Sequence, residues 1–190
     1  MNSDLESFRL QLLAIRQDAP SLWGGLSDIE FNWKPSFDKW SIAECLAHLS
    51  PTASRTVPVL DEMIARGRAK GLLSDGPFVL GLIERAFIRS LEPPVRFRAR
   101  APRRLLPPSS SGLSIAAVRR EFMEWQDAID ARLDRADGID LVRVKGPSPA
   151  FPLIRWSLGA MLAVTLAHER RHIWQARELR KHPQFPAVSR

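Results

Sequence analysis

Among the residues able to do chemistry, the four histidines are the most informative. His168 and His172 are four apart in a helical stretch, so both side chains lie on one face with Cβ atoms about 5–6 Å apart. Two imidazoles so placed can reach one metal ion at about 2.0–2.1 Å from each nitrogen. His48, between Leu46 and Leu49 on an earlier predicted helix, can be delivered to the same point from across a helical core. Three neutral imidazoles leave coordination positions open, as in catalytic rather than structural sites. Spacing alone leaves the blander readings standing: His48 as a surface or core-satisfied residue, and the pair as a coincidence of a basic helix. His182, beside Pro183 in a basic tail, reads as solvent-exposed and outside any site.

The pair belongs to His168-Glu169-Arg170-Arg171-His172, which matches the HExxH pattern of zinc proteases. The rest of the chain argues against that chemistry. Beyond His172 the only acid is Glu178, six residues on in the same helix, and no glycine and third histidine follow at metzincin spacing. Strands to hold a peptide are missing as well. Glu169, next to His168, projects about 100° away from it and reads as a helix-surface group or as support behind a ligand. The single cysteine, Cys45, can form no internal disulfide and excludes every Cys-rich metal motif. It lies one turn before His48, within conceivable reach of a metal, although a small buried thiol is the simpler reading. Any metal must therefore rest on histidines and carboxylates.

Elements that would position these residues follow from periodicity. Leu5, Phe8, Leu12 and Ile15 mark an amphipathic helix over 3–19, stopped by Pro20 and Gly24-Gly25. After a loop with Trp33-Lys34-Pro35, Ser41-Ile42-Ala43-Glu44 forms a capping box, so a second helix runs from about 42 into the sixties, kinked or broken by Pro51 and Pro58. Phe78 to Leu91 reads as a shorter helix. Val118, Phe122, Trp125, Ile129 and Leu133 stripe a long helix from Ser114 to Asp137-Gly138. Ile139 to Pro152 is looser and has room for a short extended piece, and a last helix runs from about Trp156 to Lys181. No stretch alternates long enough for a sheet. Residues 92–112, rich in proline, arginine and serine, form a crossover connection. The fold class is all-α: a four-helix bundle, whose cofactor sites are built from side chains on facing helices.

Length and charge narrow the function. The 190 residues, 45% hydrophobic, suit one globular domain over 1–190 with a substantial core. Leu158 to Ala167, the longest mostly apolar run, is far short of a membrane span, and the first residues lack a secretory pattern, so no membrane and a cytoplasmic location are expected. The net charge of +7 is unevenly spread. Residues 89–104 and 170–190 each carry a net +5, which leaves the rest at −3. Two separate solvated segments, one of them Pro-rich, and a chain without tyrosine give no ordered basic face for reading nucleic acid.

Three stretches together resemble a known family: Trp33-Lys34-Pro35, Trp40-Ser41-Ile42-Ala43-Glu44-Cys45-Leu46-Ala47-His48, and Ala167-His168-Glu169-Arg170-Arg171-His172-Ile173-Trp174-Gln175. They are similar to the signatures of the DinB-like superfamily. That resemblance implies a four-helix bundle with a long crossover and a divalent metal, nickel or zinc, held by His48, His168 and His172. It also implies enzymes that use a low-molecular-weight thiol (bacillithiol, mycothiol or glutathione), alongside members of unknown reaction. The expectation is a metal-dependent enzyme in which an open metal position activates a thiol or water against a small-molecule substrate, as a transferase or a hydrolase. The alternative is a metal- or ligand-binding, stress-related bundle that turns nothing over. A homodimer is compatible with such a bundle, without a heptad seam that demands one. Trp33, Trp40 and Trp174 read as core aromatics before pocket walls, and Arg170 and Arg171 as solvated charge before anion ligands.

Overall fold

The computed structural model describes residues 2–95, 106 and 112–186. In chain order the elements are α1 (Ser3–Asp18), α2 (Pro20–Trp23), α3 (Asp28–Phe31), α4 (Ile42–Ala47), α5 (Leu49–Ala69), α6 (Leu82–Leu91), α7 (Ile115–Arg135), β1 (Lys145–Pro147), β2 (Arg155–Ser157) and α8 (Leu158–Arg180). Helix α8 packs against α1, α4, α5 and α6, while α7 packs against α1, α4 and α5. The two therefore face each other across the core, and the all-α bundle expected from the periodicity is the observed architecture. No helix among the described residues is long and apolar enough to cross a membrane.

Apolar residues at helical spacing supply the interior. Leu5, Leu12 and Ile15 of α1, Leu60 and Met63 of α5, Phe122, Ile129 and Leu133 of α7 and Leu166 of α8 are essentially sealed from solvent in one cluster. Removing such side chains from water supplies most of the stabilisation, at about 25 cal/mol per Å² of apolar surface. Ion pairs tie the helices at the surface: Arg9 with Asp130 and Asp134, and Arg16 with Asp127, join α1 to α7, and Asp61 with Arg132 and Arg135 joins α5 to α7.

The second predicted helix is divided in two, and the division falls on His48 itself. Ser41 caps α4 by accepting from the Glu44 amide while the Glu44 carboxylate accepts from the Ser41 amide, the reciprocal capping box. Pro51 carries no donor for the Ala47 carbonyl and crowds the preceding turn, so regularity lapses three residues before it. His48 keeps αR angles, and the Thr52 hydroxyl donates to its carbonyl at 3.1 Å. Pro58 sits inside α5 without ending it.

Three boundaries differ from the sequence expectations. Residues 78–81 are not helical, and α6 begins at Leu82, where the Glu84 carboxylate caps the Gly81 amide at 3.0 Å. The looser stretch supplies β1, the short extended piece, which pairs antiparallel with β2 just beyond it so that Gly146 faces Trp156, although no sheet was expected; strands of three residues are too short to show alternation. The last helix consequently starts at Leu158 instead of Trp156, with Ser157 accepting from the Ala160 amide as its N-cap. The Ser157 amide in turn donates to Glu84 at 2.8 Å, and Trp156 stacks on Phe87 at 5.0 Å, which fixes the start of α8 against α6. Of the crossover expected over 92–112, residues 96–105 and 107–111 lie outside the described residues.

Candidate metal centre

Helix α8 supplies two imidazoles one turn apart, and the α4–α5 junction supplies the third from the opposite wall. His168 Nε2 lies 3.0 Å from His172 Nε2 and 3.3 Å from His48 Nε2. All three histidines offer a ligand nitrogen within 4.8 Å of the others, as a group that could hold a metal ion. Their rings meet edge to face, with centroids 4.5–5.2 Å apart. His48 and His172 are 2% and 5% exposed, while His168 is half-buried and gives the cluster its contact with solvent.

The electrostatics suit a cation. Burial, together with His48 and Arg171, pulls His168 down to about 3. His172 is likewise held well below its ordinary value by burial, by the other two histidines and by Arg171. Both are therefore neutral at physiological pH, the form that ligates metal. A neutral imidazole has one donor and one acceptor nitrogen, so three Nε2 atoms pointed at one another cannot all be satisfied by sharing protons. A divalent ion between them resolves the conflict. Nitrogens at about 2.0–2.1 Å from a tetrahedral ion stand roughly 3.3 Å apart, and the observed 3.0 and 3.3 Å agree with that spacing. His172 Nδ1 is buried without a hydrogen bond of good geometry. The three residues fit a divalent metal.

The adjacent Glu169 takes no part. It is 3% exposed and turned across the core to α7, where its Oε1 accepts from Gln126 Nε2 at 3.1 Å. Burial pushes its carboxyl up to about 7, against the Gln126 hydrogen bond and Arg170, which pull it down. The helix-surface reading of Glu169 is thereby corrected, and the general base that HExxH chemistry needs does not face the histidines. Gln126 was hidden in the sequence by its polarity. It stands four after Phe122 and three before Ile129, a core position, and is 1% exposed while Trp125 is only half-buried.

Other candidates sort as follows. Cys45 is buried, its thiol pushed up chiefly by burial, and it is not among the grouped ligands. Trp40 lies against the cluster, 4.9 Å from His48 and 5.6 Å from His172 between ring centroids. Trp33 instead contacts His182 and Phe185 at 5.5 and 5.4 Å, so His182 is half-buried on an aromatic ring and not free in solvent as expected. Trp174 is half-buried. Nor are the arginines solvated charge: Arg171 is 8% exposed, and Arg170 is paired with Glu92 and bonded to Gln11 at 2.8 Å. Clefts between α1, α6 and α8 and between α5 and α7 are both lined without a histidine.

Residues 11–176, which include all three histidines, match the family model of the DinB superfamily. The chain belongs to the DinB superfamily. Comparison with curated proteins and with solved structures gives no match. The resemblance of the tryptophan and histidine stretches is thus confirmed at the level of the family, and this DinB-superfamily chain brings together the histidines that the resemblance implied.

Proposed function

We propose that this chain is a metal-dependent enzyme on small molecules, with nickel or zinc held by His48, His168 and His172. The observation that carries the reading is the convergence of three imidazole nitrogens, 3.0 and 3.3 Å apart, with His168 the half-buried member of the three. When bound, a divalent ion supplies the Lewis acidity that lets a thiol or water act as a nucleophile near neutral pH. The chain's own residues hold and orient. His48 and His172 are fixed by burial, and Arg171 sets a positive charge beside the cluster that favours an anionic nucleophile over its protonated form. Thiol transfer and hydrolysis both follow from this arrangement. The family resemblance favours the thiol, and a cytoplasmic location accords with it.

A second reading is a metal-binding bundle without turnover, in which the same three histidines hold the ion. A zinc protease is disfavoured by Glu169, which is committed to Gln126. Nucleic-acid binding is disfavoured by the pairing of the C-terminal basic residues, since Arg170, Arg177 and Lys181 meet Glu92, Asp18 and Glu178. The deciding experiment offers bacillithiol, mycothiol and glutathione, each with an electrophilic acceptor, and in parallel an ester substrate, to metal-loaded protein. Turnover with one thiol that vanishes in His168→Ala establishes a transferase, and thiol-independent turnover of the ester a hydrolase. Stoichiometric metal with no turnover of either kind establishes the second reading.

A further inference from the structure

The loop 33–40 ends on Trp40, and the fold holds that loop at three points. Lys34 Nζ pairs with the buried Glu44 carboxylate, which also completes the capping box of α4. Trp33 is packed between His182 and Phe185 at the far end of the chain. Ser36 and Lys39 close a turn through the Lys39 amide and the Ser36 carbonyl at 3.1 Å. A residue just before an N-cap is expected to staple the helix by packing on its first turn. Trp40 does more than that. Its indole lies nearly parallel to the His172 imidazole, 24° between planes, and tilted 51° to that of His48. One side chain thus touches two of the three grouped histidines, one at the α4–α5 junction and one on α8.

From this geometry we infer that Trp40 is a positioning residue of the metal centre: its ring restrains His48 and His172 so that both direct Nε2 at His168. The inference rests on the three-histidine reading above. An imidazole on an α-helix rotates about two side-chain bonds, and a broad second torsion leaves the direction of Nε2 weakly specified. Offset stacking on a flat, rigid aromatic removes much of that freedom for His172, and the tilted contact does the same for His48. Half-buried Trp40 also covers the cluster on its own flank, which leaves approach from the side of His168. Loss of a residue that orients metal ligands costs about 10- to 100-fold in metal affinity.

Cobalt(II) provides the test, because its visible absorption reports both occupancy and ligand geometry. Wild type, Trp40→Phe, Trp40→Leu and Trp40→Ala are titrated with cobalt(II) against a competing chelator, and the melting temperature of each metal-free protein is recorded alongside. Trp40→Phe should bind within about threefold of wild type and keep its spectrum, since a flat ring remains. Trp40→Leu should lose about tenfold or more and shift the absorption bands, even where its metal-free stability equals that of Trp40→Phe. Trp40→Ala should lose at least as much; if it does not fold, the Phe and Leu pair decides alone. Wild-type affinity and spectrum in Trp40→Leu would overturn the inference, whatever happens to stability. A wild-type protein that binds no cobalt would instead overturn the three-histidine centre itself, so the two failures are distinguishable.

Discussion

His168 and Glu169 are neighbours on one helix, both turn into the protein, and they meet different surroundings. His168 points toward the α4–α5 junction, where His48 meets it and His172 joins from the next turn of α8, and nothing anionic is among the grouped ligands. Glu169, about 100° further round, crosses the core to Gln126 of α7 and is closed off there. One position gathers lone pairs around a point beside a half-buried ring; the other pairs a carboxyl with an amide in the core. A sequence pattern that joins them as one motif therefore spans two sites with separate work. The histidine is assigned to function and the carboxyl to the core.

That division can be broken by experiment, beginning with the histidines. His168→Ala, and His168→Ala with His172→Ala, should lose stoichiometric metal altogether, as read by elemental analysis of untagged protein. The metal-free stability of His168→Ala should change by less than about 1 kcal/mol, because His168 is half-buried and its ring contacts are with the other two histidines. Glu169 should behave in the opposite way. Glu169→Ala leaves a cavity and strands the Gln126 amide, so chemical denaturation should report a loss of about 2–3 kcal/mol, while the refolded protein still takes up metal. Glu169→Gln, equal in shape, should lose less than about 1 kcal/mol and bind metal as wild type does. Metal loss in Glu169→Gln would join the two sites again and revive the protease-like reading.

The smallest expected effect lies away from both sites and serves as a control. The Asp61 carboxyl is held below its ordinary range, first by the hydrogen bond from Arg132 and further by the charges of Arg132 and Arg135, against the cost of burial. A lowered folded-state value means stability that is present above the unfolded carboxylate range and disappears as pH falls through the folded value. Asp61→Asn should accordingly cost about 1 kcal/mol at pH 7 in urea melts. The difference from wild type should shrink steadily as the solution is acidified below the usual carboxylate range. Metal affinity should not respond.

Much of this arrangement could be read from residues. The i, i+4 histidines, the Ser41–Glu44 capping box and the apolar spacing of α1 and α7 gave the helices and two ligands on local grounds, since helix geometry is set over a few residues. His48 was harder, because its approach depends on a junction that Pro51 produces and on which face of α4 meets α8. Tertiary partners were not legible. Gln126 and Glu169 look like surface residues until the hydrogen bond between them is seen, and a buried polar pair leaves no periodic trace when one member falls among apolar positions. The hairpin before α8 was lost for lack of length, and the contacts of Trp33 with His182 and Phe185 join segments about 150 residues apart.

The central claim is that His48, His168 and His172 hold one divalent ion, and X-ray absorption on untagged protein loaded with one equivalent of nickel or zinc tests it most directly. The account predicts three imidazole nitrogens at about 2.0–2.1 Å for zinc, with the remaining scatterers light atoms or an added thiol sulfur. In the same samples, free metal at 100 times its dissociation constant should add about 2.7 kcal/mol of stability. Fewer than two imidazoles in the fit, or an unchanged spectrum and melting temperature when His48, His168 and His172 are all replaced by alanine, would contradict it.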